Sequence, residues 1–545
     1  MECDNPDMTD PAHKPLASTL RRVRSVGLLT LLSRVLGLVR DGVMAMQFGN
    51  GAISDAFSIA FRVPNMARQI FGEGALSTAF LPIFIRDLEQ HGRETAYRTA
   101  TAVLMAVTLL LLGIVLAVEV VVFALWATLG LSPEARLLLE LLATLTPYLL
   151  MVCVLAQVSA VMHGLGEFTL PALGPVILNA VWIAVTWWLG RVIEAPETRI
   201  FWVAASIVLI GVGQLVLCLP ALRMLGFRFA RDWSASRDRV REIARTMLPV
   251  VLGLSITQLN TMTDSLFAWA FTAPADGSHG WLNHYPLNEG TAHAMYLGQR
   301  MLQFPIGIFG AALGTVIFPV LTLHAERKQW DHFRDDLTHG LLLVIAIGIP
   351  ASIGLVLIAE PLTVLLFQHG QFDAEDSIQT AGIIATYSLG VWSACGLMIV
   401  QRAFYAIGDR RSPLRIGLWI AGLNLLMNLA LVWTLGGRGL ALATTLASMA
   451  QCVVTLVLLQ AQTQGLDWSR LKAGLTRTLL ATGAMSLGCL ATNWAIEHGQ
   501  LPDSLGARAV EAGLPLIVGV ATYLAVAGLI GLTEPFELLR ISRRR

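Results

Sequence analysis

Residues 99–128 read TATAVLMAVTLLLLGIVLAVEVVVFALWAT, a run whose only charge is Glu119. Such a run exceeds the roughly 20 residues a helix needs to cross the hydrocarbon core of a bilayer. Working outward, comparable segments lie at about 25–48, 54–85, 137–162, 169–190, 200–222, 246–272, 292–323, 337–366, 378–407, 414–434, 439–461, 474–496 and 509–532. Together they predict an all-α polytopic membrane protein with about 14 transmembrane helices. The intervening segments are too short for a sizeable soluble domain. Over 545 residues the chain is 55% hydrophobic and 14% charged, against ~25% charged in soluble domains, and its mean hydropathy is +0.65. That composition excludes a soluble enzyme and a disordered chain. A formal net charge of +1 leaves no basic excess for gripping nucleic acid.

The distribution of Lys and Arg sets the topology. With the N-terminus in the cytoplasm, inner segments carry 27 of the basic residues and outer segments 5, Arg136, Arg191, Arg199, Arg438 and Arg508. This predicts an even number of spans and both termini in the cytoplasm. The first apolar run is too long for a signal-peptide core and is followed by charge, so it is read as an uncleaved first span. Five of the six cysteines sit inside apolar spans and none forms a CxxC pair. They are read as small buried hydrophobes.

An internal repeat organises the spans. Ile70-Phe71-Gly72-Glu73-Gly74-Ala75-Leu76-Ser77-Thr78 returns, with one gap, as Ile308-Phe309-Gly310-Ala311-Ala312-Leu313-Gly314-Thr315. The same offset sets Arg62 opposite Arg300. Gly166-Glu167 before Pro171 matches Gly408-Asp409 before Pro413. A period of six helices keeps both copies in one orientation. The predicted parts are a tail at 1–24, an N-lobe at 25–235, a C-lobe at 236–465, and a helix pair with a basic tail at 466–545. Two parallel six-helix lobes around a cavity describe a transporter that alternates between inward-open and outward-open states.

Six arginines fall inside apolar spans: Arg34, Arg40, Arg62, Arg68, Arg300 and Arg402. Each costs about 2.5–3.5 kcal/mol at mid-depth unless something offsets it. Arg34 shares a helical face with Asp41, and Asp55 with Arg62. Glu73 lies one and a half turns beyond Arg68. Pro64 and the Gly72/Gly74 pair predict a kink here, and irregular backbone at depth belongs where it lines a cavity or is buried in protein. Arg40, Arg68 and Arg300, if turned to the cavity, make a cationic site suited to phosphate oxygens. For Arg34, Arg62 and Arg402, snorkelling or internal pairing is an equal alternative.

A second constellation is Asp264 with Asn424, Asn428 and Thr444, near Gly436, Gly437 and Gly439. Carboxylate, amide and hydroxyl oxygens suit a hard monovalent cation such as Na⁺. The alternative is a hydrogen-bonded Asp whose polar neighbours glue helices together. Beyond that cation no cofactor is expected. Glu119 receives no role, and His163, His279, His284 and His293 make no metal pattern. The segment 273–290 has no Lys or Arg and reads as an outer loop. No phosphate-binding loop, nucleophile elbow or His-Glu-x-x-His is present. The chain is therefore not read as an enzyme, and its energy would come from a gradient, the membrane potential or the fate of the substrate.

Ser33-Arg34-Val35-Leu36-Gly37-Leu38-Val39-Arg40-Asp41 resembles the opening signature of the MurJ/MviN family, the lipid II flippases of bacterial peptidoglycan synthesis. The resemblance continues through Ser54-Asp55-Ala56-Phe57, Phe61-Arg62-Val63-Pro64-Asn65 and Arg68-Gln69-Ile70-Phe71-Gly72-Glu73-Gly74-Ala75. It returns at Arg300-Met301-Leu302-Gln303-Phe304-Pro305, Pro361-Leu362-Thr363-Val364-Leu365-Leu366-Phe367 and Phe404-Tyr405-Ala406. It implies the multidrug/oligosaccharidyl-lipid/polysaccharide exporter fold. The implied substrate is undecaprenyl diphosphate carrying a disaccharide-pentapeptide, moved across a bacterial cytoplasmic membrane, with the cell-wall synthesis machinery as a further partner. The family's cavity arginines carry over onto Arg40, Arg68 and Arg300, with Arg34 at a further position, and Asp55 and Glu73 match acidic ones. The final helix pair would add a hydrophobic groove for the polyprenyl tail. The chain departs from the family at Gln299 and Gln303, where acids are frequent, and in a longer outer loop before the eighth span. The alternatives are an exporter of another polyprenyl-linked oligosaccharide or a drug, and a non-transporting scaffold of cell-wall synthesis. A polyprenyl-phosphate enzyme would need clustered carboxylates for Mg²⁺, and the sequence offers none.

Overall fold

In a bilayer every backbone polar group has to find its partner within the protein, which for an isolated apolar run means a helix. The computed structural model describes residues 16–232, 236–274, 282–463, 465–499, 502 and 504–537, with side chains undescribed at 16–23, 73–78, 311, 312 and 315. The described chain is helical almost throughout, and its extended pairing is one isolated bridge between Thr272 and Leu287. The helices are α1 (Leu16–Phe48), α2 (Ala52–Ala67), α3 (Ser77–Gln90), α4 (Gly92–Thr128), α5 (Pro133–Gly164), α6 (Thr169–Val192), α7 (Pro196–Met224) and α8 (Arg237–Ala270). They continue as α9 (Thr291–Pro305), α10 (Ala311–Glu326), α11 (Trp330–Leu357), α12 (Ala359–Phe367), α13 (Ala374–Ser388), α14 (Val391–Ala406), α15 (Arg411–Gln462), α16 (Trp468–His498) and α17 (Leu505–Leu529).

Among the described residues, nine helical stretches are long and apolar enough to cross a membrane. One of them, Arg411–Gln462, covers the predicted spans 414–434 and 439–461, which join at Gly436 with φ 57° and ψ −136°. The predicted spans 25–48, 54–85, 246–272 and 292–323 fall on α1, α2–α3, α8 and α9–α10. The π-helical segments Arg68–Leu76 and Ile306–Gly310 divide two of these spans into helices of 14–16 residues, and α1 and α8 carry Arg34, Arg40 and Asp264. The predicted segment 337–366 divides at Ile358 into α11 and α12.

The kink expected after Pro64 is a change of helical pitch. Arg68–Leu76 is π-helical between α2 and α3. Ile306–Gly310 is π-helical between α9 and α10. The two segments begin at equivalent positions of the sequence repeat. Glycines let neighbouring helices close on them: a Cβ on Gly72 would stand 2.8 Å from Ala156 Cβ, and one on Gly310 2.9 Å from Met398 Sδ.

Contacts divide the chain into two compact units. One contains the described chain up to Val43, Val63–Leu129 and Leu139–Leu252. Its core joins Phe80 and Phe84 of α3 to Tyr97 and Val103 of α4, Val161 and Met162 of α5, and Leu222. The other contains Met44–Arg62, Gly130–Leu138 and the described chain from Gly253. Its core is built on α11, where Leu337, Leu341 and Val344 meet Val391, Ile399 and Phe404 of α14. Helices α16 and α17 pack beside it through Met485, Cys489 and Tyr523, and the Tyr523 hydroxyl donates to the Ala346 carbonyl.

These units differ from a division at residue 235. The start of α8 stays with the first unit because Arg239 pairs at 3.2 Å with Asp87, a fully buried carboxylate that also accepts from Thr99 at 2.9 Å. Met44–Arg62 belongs with the second unit through the polar contacts described below. The five described cysteines are free and buried.

Candidate functional site

In the first unit, Arg40 lies in the C-terminal third of α1 with 6% of its surface exposed. A buried guanidinium is tolerated only when its donors are matched. Its Nε and Nη2 donate to Asp41 Oδ1 at 3.0 and 2.6 Å. Its Nη1 donates to Asn179 Oδ1 at 3.2 Å, and the Trp182 ring stands 4.4 Å from its Cζ. Asn179 and Trp182 are three apart on α6 and so share a face. The Asn179 amide in turn donates to the Ser33 carbonyl at 3.0 Å, which keys α6 to α1. Asp41 shares a helical face with Arg34, but its carboxylate pairs with its sequence neighbour Arg40. Arg34 is half-buried on the same helix. Arg68 opens the first π-helical segment and donates from Nε and Nη2 to Asn65 Oδ1 at 3.3 and 2.9 Å. The Glu73 side chain lies outside the described residues.

In the second unit, Asp55 does not pair with Arg62. Its carboxylate accepts the backbone N–H groups of Gly290 at 2.8 Å and His293 at 2.6 Å, capping α9. The first N–H groups of a helix lack intrahelical partners, and a carboxylate there is favoured by both hydrogen bonding and the helix dipole. Ser58 Oγ lies 2.7 Å from His293 Nδ1. Asn50 donates from its backbone to Asp376 at 3.2 Å and from its amide to Gln379 at 3.0 Å. Arg62, buried, donates from Nη1 to the Thr261 carbonyl at 3.0 Å and to Gln299 Oε1 at 3.1 Å. Gln299 donates to the Tyr387 hydroxyl at 3.3 Å. Arg300, next on α9, donates to Gln303 at 3.3 Å.

The four oxygen-bearing residues singled out in the sequence converge in this unit. Asp264 on α8 is 1% exposed. Its Oδ1 accepts from the amides of Asn424 at 3.0 Å and Asn428 at 2.6 Å, and its Oδ2 from the Thr444 hydroxyl at 3.0 Å. Asn424 also donates to Asn260 at 3.2 Å. The Oδ1 atoms of Asn424 and Asn428 are buried without a hydrogen-bond partner. Buried amide oxygens left unsatisfied carry a free-energy cost, so this cluster has oxygen atoms to offer.

A family model described as lipid II flippase MurJ matches residues 44–502. The chain is 30% identical over 519 residues to the probable lipid II flippase MurJ of Vibrio cholerae, covering 93% of this chain and 95% of that protein. The chain belongs to the lipid II flippase MurJ family. The lipid II flippase MurJ of Burkholderia cenocepacia is 28% identical over 449 residues, with 80% of this chain and 82% of that protein covered. In fold, the chain is similar to a solved lipid II flippase MurJ in an inward-closed conformation, with TM-score 0.69, 20% identity and 92% and 98% of the two chains covered. It is also similar to an inward-facing multidrug resistance MATE transporter of the MOP superfamily, with TM-score 0.62, 15% identity and 79% and 94% covered. The MurJ-family match begins at residue 44, after the Ser33–Asp41 signature, whereas the Vibrio relative covers nearly the whole chain.

Sequence reading found Asp264 together with Asn424, Asn428 and Thr444, but missed the neutral residues around Arg40 and Arg62. Asn179 and Trp182 contact Arg40, and Gln299, noted in the sequence only as a departure, accepts from Arg62 and donates to Tyr387. Asn179 carried a usable signal, since a lone amide in the apolar run 169–190 must find a partner. The Tyr387 and Trp182 rings carried none, because aromatic residues are common in such runs. Arg402 lies on α14 against Gly314, where a Cβ would stand 2.7 Å from its guanidinium.

Proposed function

We propose that this chain flips lipid II from the inner to the outer leaflet of the bacterial cytoplasmic membrane. The polyprenyl tail stays in lipid while the diphosphate and sugars pass through a cationic cavity, and no covalent bond is made or broken. Arg40, Arg68 and Arg300 bind the diphosphate, with Arg34 at a further cavity position and Arg62, Asp41, Asp55 and Glu73 supporting or gating. The lobes at 25–235 and 236–465 rock about this site, and the pair within 466–545 guides the tail. Both termini lie in the cytoplasm. The reading rests on family membership, and the observation that carries it is the set of arginines inside apolar spans of the sequence. A diphosphate is the kind of anion that repays their burial, and guanidinium forks match its oxygens.

The cluster at Asp264 fits a monovalent cation such as Na⁺. Asp264, Thr444 and, with their amides turned over, the oxygens of Asn424 and Asn428 would hold it; the two partnerless amide oxygens support this. When bound, the cation neutralises the buried carboxylate and ties α8 to α15.

The function is tested by complementation in bacteria depleted of their own lipid II flippase. The wild-type chain should restore growth and lipid II on the outer leaflet, and well-expressed Arg68→Ala and Arg300→Ala should restore neither. Failure of well-expressed wild type would contradict the substrate. Rescue by both variants would contradict the arginine site.

A further inference from the structure

Arg62 on α2 reaches toward the Asp264 cluster of the second unit by two routes. Arg62 donates to the Thr261 carbonyl, one turn before Asp264 on α8. It also donates to Gln299, which donates to the Tyr387 hydroxyl. Thr444 closes the cluster from α15, its hydroxyl donating to Asp264 at 3.0 Å. Arg62 and Asp264 lie within electrostatic reach of each other. The two hydrogen-bond acceptors facing the guanidinium, a peptide carbonyl and a glutamine amide, are neutral, so Asp264 supplies negative charge that they do not. Arg62 is also the last residue of Met44–Arg62, the segment seated in this unit by Asn50, Asp55 and Ser58.

We propose that Arg62 couples the Asp264 cation site to the seating of the outer half of α2: a cation bound by Asp264, Asn424, Asn428 and Thr444 and the Arg62 guanidinium compete for the field of one carboxylate. This rests on the cation reading given above. A bound monovalent cation cancels the attraction that Asp264 exerts on Arg62. The hold of Arg62 on Thr261 and Gln299 then weakens, and with it the anchoring of Met44–Arg62. By linkage, the seated Arg62 must lower cation affinity by the same factor. The cation site thereby acquires a lever on a segment that the sequence places in the first two spans. The carboxylates facing Met44–Arg62 from its neighbours are Asp376 and Glu289; Asp55 belongs to the segment itself. None of them contacts Arg62 among the described hydrogen bonds.

The test uses the purified full-length chain in lipid nanodiscs at fixed pH and ionic strength, with NaCl against choline chloride. Na⁺ binding is read by calorimetry, and amide hydrogen exchange is followed over residues 44–62 and 290–305. Wild type should bind Na⁺, Asp264→Asn should not, and Arg62→Gln should bind roughly tenfold or more tighter, within the usual range of site-to-site coupling. Arg62→Lys keeps the charge and should stay near wild type, whereas a purely structural role for the guanidinium fork would make it behave like Arg62→Gln. In wild type, Na⁺ should speed exchange over 44–62, and in Arg62→Gln it should not. Equal or weaker Na⁺ binding by Arg62→Gln would overturn the coupling and leave the cation site standing. Should Arg62→Gln fail to fold, the wild-type exchange decides: no Na⁺ effect over 44–62 overturns the coupling. Absence of Na⁺ binding to wild type would overturn the cation reading and this inference together, without touching the lipid II assignment.

Discussion

At the scale of single residues, a charge inside a membrane helix has to be matched donor by donor. Arg40 is held by Asp41, Asn179 and the face of Trp182. Replacing Asn179 with Leu removes the acceptor for Nη1 and cuts the tie to Ser33. The expected loss is about 1–3 kcal/mol, the penalty for stranding a buried donor, read as a lower unfolding midpoint of the purified protein in detergent. An unchanged midpoint would mean that Asn179 carries no share of Arg40. How much of the sites the sequence revealed follows from chemistry. The Asp264 quartet was legible because a carboxylate, two amides and a hydroxyl in apolar spans have few partners other than each other. Asp41 and Asp55 were placed on the faces of Arg34 and Arg62, but their hydrogen-bond partners were not legible. Helical spacing ranks neighbours along one helix and cannot see a backbone N–H of α9 or an amide 139 residues away.

At the scale of elements, the repeat is visible as shared devices. Gly166 (φ +85°) and Gly408 (φ +83°) each turn left-handed after a helix, a conformation glycine adopts without steric cost. The next residue then closes the helix end, Glu167 N–H to Met162 O at 2.9 Å and Asp409 N–H to Phe404 O at 3.0 Å. The acid side chain caps the following helix: Glu167 accepts from Thr169 at 2.8 Å, and Asp409 from Ser412 N–H at 3.0 Å. The Ser412 hydroxyl also donates to Asp409 at 2.6 Å and, with the backbone donors and Gln462, pulls the carboxyl down to about 2. A carboxyl lowered on folding stabilises above its ordinary value and loses that contribution as pH falls toward its folded value. The stability difference between wild type and Asp409→Ala, measured by thermal melts, should be full near pH 6 and shrink as pH drops from about 4 toward 2. A gap that stays constant with pH would exclude the charge as its source. The Gly and acid of this element were legible in sequence. The π-helical pitch at Arg68–Leu76 was legible only as a kink, because Pro64 and the glycines announce irregularity without specifying its hydrogen-bond register.

At the scale of the molecule, the helical membrane fold was readable from apolar run lengths alone, since lipid leaves few other options for the backbone. The compact units were not. Their edges are set by long-range contacts such as Asp87–Arg239 and Asp55–Gly290, which join residues 150 or more positions apart. Periodicity reports a local face and is blind to such pairs. Four of the six Arg residues that make the apolar spans expensive, Arg34, Arg40, Arg68 and Arg300, are the ones the proposed substrate needs. The most direct measurement is transbilayer movement of fluorescent lipid II in proteoliposomes containing the purified chain, wild type against Arg68→Gln and Arg300→Gln. The account predicts movement well above protein-free vesicles for wild type and a rate at the protein-free level for both variants. A wild-type rate equal to that of protein-free vesicles, or variants as fast as wild type, would contradict it.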